Sequence, residues 1–516
     1  MRKKQIFLLL LIISLLGSNI VVKAFDGRKD EYIYSYWNQP IPSAPGLALR
    51  QTIDEGYLGV GLNKPSDIFA FDDKLYMIDM GTNHLYVLND VFQVEQHIQY
   101  FPYEQPINGL GEVCTPTEDN VHLQVDTALV EPNPDHCYIG TGLKEPEGIN
   151  VTDEAIYIAD TGHGRIVKIT HDFKFIESFG KPDDPTFTER NFVPIKIAVD
   201  RTNRMYVIAR TIHEGIIELN DDGSFNRFVG VNPVTVTIID IIRRQFATEE
   251  QLSKMQLFLP TSFTNLIIDE RGFIYATALP SQASDNTSMI KLINPKGEDV
   301  LKRTGYFPPA GDIVYYRVGD GRAERGPSSL VDIAISSHGI YTVLDQKRSR
   351  LFTYDDEGRL LYITNDEGQL QGKDPLLVAL TYFNDQMVVL DQGSRSIKVF
   401  QPTDFGELVN RAVSLHHEGK FEESAEVWGE VARLNSNYEI AYIGIGKSLL
   451  RQQKYREAMR NFKLGNDRYY YSKAFEGFRK ELIDKNFTWI MTIFSIGGLV
   501  LLAKPIMSFF KEEKEE

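Results

Sequence analysis

Residues 144–169 read KEPEGINVTDEAIYIADTGHGRIVKI, and this phrase decides the fold. A short apolar stretch around Ile149 leads to a polar turn. IYIAD follows over Ile156–Asp160, then a tight turn, then RIVKI over Arg165–Ile169. Apolar and polar residues alternate with period two in these pieces, which marks half-buried strands joined by short connections. The phrase recurs. Residues 64–88 (KPSDIFAFDDKLYMIDMGTNHLYVL) repeat it closely, and weaker copies lie at 193–219, 259–292, 326–354 and 374–400. Six copies fill residues 60 to 404, and the reading places Tyr76, Tyr157, Tyr206, Tyr275, Tyr341 and Val388 at equivalent positions.

Four short strands cannot bury both faces of their own sheet. Six such sheets set radially pack each on the next and leave few open edges. The expected fold is therefore mainly β, a six-bladed β-propeller over residues 25–404. The repeat resembles the NHL repeat, most specifically at Pro146–Ile169. Two stretches precede the first copy, Tyr32–Trp37 (YIYSYW) and Ala48–Ile53, and one of them is expected to pair into the last blade and close the ring.

Asp79, Asp160, Asp345 and Asp391 share one repeat position, just before a hairpin turn. His84, Arg165, Arg350 and Ser396 follow five residues later. These positions face one another in an antiparallel hairpin, so Asp160–Arg165 and Asp345–Arg350 can pair across the turn. Recurrence at a turn points to a structural task. His163 and His213 read as polar turn residues, and no local pattern gives catalytic residues, a cofactor site or a metal site. Six-bladed propellers that resemble NHL repeats include metal-dependent lactonases and lyases. Their ligands come from different blades, so an enzyme with its active site at the channel mouth stands as the alternative reading. The chain has no G-x-S-x-G, H-E-x-x-H or G-x-x-x-x-G-K-[ST] pattern.

Two insertions interrupt the copies, at about 102–143 and 231–259. The second reads as helical, with a capping box at Thr248-Glu-Glu-Gln251. The first holds both cysteines of the chain, Cys114 and Cys137, 23 positions apart. In an exported protein two lone cysteines favour a disulfide.

After Phe405 the period changes from 2 to 3.6. Residues 405–438 and 439–472 align at a spacing of 34: Ala412 with Gly446, Phe421 with Tyr455, Ser424 with Ala458, and Trp428 with Phe462. Small residues at close helix contacts and aromatics at packing positions resemble the tetratricopeptide (TPR) repeat, here a pair over 405–485. Its groove suits docking of peptide or protein, against the plainer role of a spacer. A helix across Ser472–Lys485 is expected to cap the pair.

The ends read as membrane signals. Arg2, Lys3 and Lys4 precede an apolar run from Ile6 to Leu16, and Val22-Lys23-Ala24 offers cleavage before Phe25. Residues 1–24 therefore read as a signal peptide. Phe487–Ala503 is 17 residues without charge, which gives a transmembrane helix over 486–510 and a cytoplasmic tail over 511–516. The bulk of the chain is then extracytoplasmic. Its net charge is −16, or −20 once the leader's four positive charges are removed, which argues against nucleic acid as a partner.

This order of segments, with ELVNRAVSLHHEGKFEESAEVW and IAYIGIGKSLLRQQKYREAM, resembles a bacterial family of exported NHL/TPR membrane proteins. The resemblance implies a single-pass, membrane-anchored scaffold. Its implied partners are membrane proteins such as carbohydrate ABC transporter components or Yip-type proteins, with a glycan or peptide as ligand. Peptide mapping without reductant should recover Cys114 and Cys137 in one linked species; two free thiols would contradict the pairing.

Overall fold

The computed structural model describes residues 32–102, 140–231, 262–279, 289–312, 327–336, 338–365 and 376–512. The leader, both cysteines and nearly all of the two insertions lie outside the described residues.

Six antiparallel sheets follow in chain order. Blade one is Pro65–Phe71, Lys74–Asp79, His84–Leu88 and Val94–Ile98. Blade two is Gly148–Val151, Ile156–Asp160, Arg165–Ile169 and Phe175–Phe179. Blade three is Pro194–Val199, Met205–Ala209, Ile216–Leu219 and Phe225–Val229. Blade four has three strands among the described residues, Phe263–Ile268, Ile274–Ala278 and Ile290–Ile293. Blade five is Leu330–Ile335, Ile340–Asp345, Arg350–Asp355 and Leu360–Asn365. Blade six is Leu377–Phe383, Gln386–Asp391 and Ser396–Pro402, with an outer strand from the other end of the propeller, Leu47–Ile53.

That last pairing closes the ring. Val399 faces Gln51 and Ile397 faces Ile53, so the outer edge of blade six is covered by the chain that enters blade one. The other candidate, Tyr32–Tyr34, pairs instead with Pro40–Pro42. Its hydroxyls reach the buried Asp312, Tyr32 at 2.7 Å and Tyr34 at 2.6 Å.

First strands of neighbouring blades touch all the way round, from blade one to six and back. Between blades lie apolar layers, such as Tyr76, Ile78 and Val87 against Ile149, Val151 and Ile158. The tyrosines Tyr76, Tyr157, Tyr206 and Tyr275 each enter the layer toward the following blade. Tyr341 does not share their position. Blade five has one more residue between its tyrosine and Asp345, so Thr342 stands at the equivalent register. Tyr341 therefore turns back toward blade four and meets Tyr275 at 5.5 Å, while Thr342 bonds to Tyr382 of blade six at 2.7 Å. A single-residue slip reverses the face, as period two requires.

Side chains also stitch every interface. Ser66 Oγ donates to Pro146 O at 2.8 Å, Thr161 to Pro194 O at 2.7 Å, and Thr264 to Leu330 O at 2.7 Å. His213 and Ser262 meet at 2.9 Å, Gln346 reaches Leu377 O at 3.2 Å, and Gln392 reaches Pro65 O at 2.9 Å.

Five helices follow: α1 Asp404–His417, α2 Phe421–Leu434, α3 Glu439–Arg451, α4 Tyr455–Leu464 and α5 Arg468–Glu512. Consecutive helices pack together in pairs. The sequence reading divided a capping helix from a span at residue 486. The structure has one continuous helix, because no proline lies between Arg468 and Lys504 and the Gly497–Gly498 pair stays helical. The helices share a core with blades five and six: Leu351, Leu361, Tyr362 and Phe400 pack with Phe405, Val409, Trp428 and Tyr438. Tyr438 OH donates to Leu361 O at 2.6 Å, and Tyr362 OH donates to Asn410 at 3.0 Å.

The join is tight at Gly406, where a Cβ would stand 1.8 Å from Gly46 O. Gly406→Ala should therefore destabilise the protein by about 1–3 kcal/mol in chemical unfolding. Gly429→Ala, with nothing within 4 Å of the added carbon, should cost nothing.

Candidate functional site

The recurrent aspartates are all fully buried. Asp79 accepts four backbone N–H groups: Asn63 at 2.7 Å, Lys64 at 2.8 Å, Gly81 at 2.7 Å and Thr82 at 3.1 Å. Asp391 takes Leu376 N, Gly393 N and Ser394 N, and pairs with Lys398 at 3.0 Å. Each carboxylate ties its own turn to the segment that enters the blade. Asp160 meets Arg165 Nε and His163 Nδ1, both at 2.8 Å, and Lys144 N at 2.7 Å. Asp345 accepts from Ser328 Oγ and Ser329 N, with Arg348 at 3.3 Å. Arg350 faces Asp345 in the register, and its Nη1 donates to Asp312 at 2.6 Å and to Tyr32 OH at 2.8 Å. Each of these groups is held by hydrogen bonds or ion pairs within the propeller.

A second polar set lies on the first strands of the blades, which line the channel of a propeller. Five first strands shift register near their start, at Pro65/Asp67, Pro194/Lys196, Phe263/Asn265, Leu330/Asp332 and Leu377/Ala379. Asp67, Lys196, Asn265, Asp332 and Ala379 thereby stand at one level, with Gly148 at the matching register of blade two. Lys196 Nζ lies 2.7 Å from Asp67 Oδ1, passing the blade that has only Gly148 there. A Cβ on Gly148 would come 2.7 Å from Ile195 O. Asp67 also accepts Ile149 N at 3.0 Å. Asp332 accepts Ile333 N at 2.7 Å and Leu380 N at 2.6 Å, and Asn265 Nδ2 bonds to it as well. Burial pushes Asp332 up to about 7 against the pull of Lys196. Burial works against the Lys196 ammonium, but Asp67 and Asp332 outweigh it and hold its pKa above the ordinary lysine value. Sequence reasoning missed this belt, although a polar residue recurs in PSDI, PIKI, FTNL and LVDI. Among the described residues no three His, Cys, Asp or Glu groups converge as a metal site would require.

The third set joins propeller and helices. Ala412, Ala458 and Phe462 are fully buried, and Ser424 Oγ donates to Ala412 O at 2.8 Å. Gly446 lies where a Cβ would meet the Phe462 ring at 2.6 Å. Gly444 does the same for Trp428, and Gly477 for Tyr455. Phe421 packs edge-on against His416 at 5.2 Å. The blade-five turn Asp355–Arg359 faces α1, α3 and α5. Glu357 accepts Tyr470 OH at 2.8 Å, pairs with Lys447 at 3.3 Å, and pairs with Arg359, which also reaches Asp467 at 3.3 Å. Burial opposes its charge, yet Lys447 and Arg359 prevail and hold Glu357 well below the ordinary carboxylate range. Through these contacts α3 and the start of α5 are turned toward the protein's own propeller.

No protein-family model matches the chain, and no curated protein matches it. Solved propellers do. Virginiamycin B lyase from Staphylococcus aureus is 12% identical, with TM-score 0.39, over 69% of this chain and 100% of that one. A streptogramin B lyase is 10% identical, with TM-score 0.39, over 70% and 100%. The extracellular domain of a one-component system from B. thetaiotaomicron is 12% identical, with TM-score 0.34, over 74% and 39%. At these identities the likeness concerns the fold alone, and no activity transfers with it.

The channel belt gives a pH prediction. With Asp332 raised, the folded chain keeps a proton that the unfolded chain has released above about pH 4. Stability should fall as pH rises from 4 toward 7, by at most about 1.4 kcal/mol per pH unit, and level off above. Asp332→Asn lowers stability overall, because its amide meets the Leu380 N–H, but it should flatten that slope in urea unfolding across pH. An unchanged slope would remove Asp332 as its source.

Proposed function

We propose that the chain is a membrane-anchored, extracytoplasmic binding protein: a rigid propeller platform held above the bilayer by its last helix. The observation that supports this most is the exposed apolar end of α5. Trp489 and Phe494 are each 72% exposed and Leu501 is 71% exposed, in a helix apolar and long enough to cross a membrane. Water does not tolerate so large a continuous apolar surface, whereas lipid covers it. Trp489 would sit at the interface, and Lys504 would snorkel to the opposite one.

Between the docked turn at Asp467 and the apolar segment run 19 helical residues, Arg468–Asn486. At about 1.5 Å per residue this stalk lifts the ring about 28 Å from the bilayer. The belt at Asp67 and Asp332, the aspartate-fixed turns and the core shared with α1–α3 all favour a stiff binding platform over a mobile enzyme. The NHL and TPR resemblances fit a scaffold that serves membrane proteins, including transporter components, with the helical pair docking them through its outward side. A glycan or peptide is the ligand class that the family resemblance adds.

The test is fractionation of cells that make the full chain. The protein should stay with membranes through alkaline extraction, and protease added to intact cells should digest the propeller. Removing residues 487–516 should release it into the soluble fraction. Alkali-soluble full-length protein, or a propeller protected in intact cells, would overturn the proposal.

A further inference from the structure

Where the blade-five turn meets the helices, a cleft of about 240 Å³ remains. Its walls are the acidic turn on one side and the inner faces of α1, α2 and α3 on the other, with Trp428 and Phe421 among them. It has room for several waters or one small organic molecule.

The charges inside are unequally matched. Glu357 is taken by Arg359 and Lys447, and Asp356 lies 3.6 Å from Lys302. Among the described residues Arg451 has no carboxylate partner. Its guanidinium lies only over the Phe421 ring, at 5.9 Å. His416 packs against the same ring from α1. Its Nδ1 is buried and meets no hydrogen-bond partner in the protein. Burial, and then Lys447, lower the imidazole to about 4, so it is neutral at physiological pH. A buried, unsatisfied ring nitrogen costs free energy, commonly about 1–3 kcal/mol, unless water or a ligand meets it. Arg451 and His416 thus meet the same Phe421 ring, the one an unpaired cation and the other carrying an unsatisfied neutral nitrogen.

We propose that this cleft is a binding site for a small hydroxycarboxylate, with the carboxylate on Arg451 and the hydroxyl on the His416 imidazole. The guanidinium fork suits a carboxylate in two-point contact, and a neutral imidazole suits a hydroxyl. The Asp355–Glu357 turn limits the site to one negative charge, because a dianion would meet those carboxylates. The ligand would touch propeller and helices together and brace the joint between them. This inference concerns the ectodomain and does not depend on how the chain is anchored.

The experiment is thermal unfolding of the full-length chain in detergent, titrated with sodium glycolate or sodium glycerate against sodium chloride at equal ionic strength. A saturable rise in Tm with either acid, absent with chloride, is expected. Arg451 is exposed, so Arg451→Gln should fold normally and weaken the response about tenfold or more. His416→Gln should weaken it too, and Arg433→Gln, at another exposed arginine, should leave it unchanged. No saturable response to either acid, or an undiminished response in Arg451→Gln, overturns the proposal.

Discussion

An unpaired strand edge is the constraint on which this architecture turns. A row of free N–H and C=O groups on Ser396–Pro402 would invite pairing with another chain. Leu47–Ile53 covers that edge and makes an open stack of sheets into a ring. The pairing has a second consequence. It holds Pro45 and Gly46 beside Thr403, whose hydroxyl caps α1 through Gly406 N at 3.0 Å. The strand that closes the ring thus also fixes where the helices begin, and Gly406 lets the two backbones approach.

From that point the helices are committed to blades five and six. Tyr438 spends its hydroxyl on a propeller carbonyl, and Glu357 spends its charge on a helix lysine. Buried polar groups of this kind are tolerable only when satisfied, and here they draw their partners from both sides of the joint. The same economy governs the ring, where Asp67 and Asp332 each accept a backbone N–H from the next blade. The outcome is a joint in which buried polar groups of each part are satisfied by the other.

Much of this was legible in the sequence because strand alternation is local. IYIAD and its copies announce hairpins wherever they fall, and six copies leave few arrangements other than a closed ring. The slip at Tyr341 was harder to see, since one extra residue before Asp345 leaves the strand pattern intact while reversing the face. The 34-residue spacing placed Ala412, Trp428 and Phe462 in packed positions. It could not say which side of the helical pair would meet solvent, because that depends on contacts such as Leu361–Tyr438 between segments 77 residues apart. The channel belt escaped notice for a related reason. A polar residue inside an apolar strand looks like noise until the register shift brings five strands to one level.

The central claim is that ring and helices form one cooperative body closed by Leu47–Ile53. Native-state amide hydrogen exchange at increasing denaturant tests it most directly. Peptides covering 47–53, 396–402 and 405–434 should open together, at the free energy of global unfolding. Exchange of 405–434 at a clearly lower free energy, with the blade-six strands still protected, would contradict it and make the helices a separate, loosely attached domain.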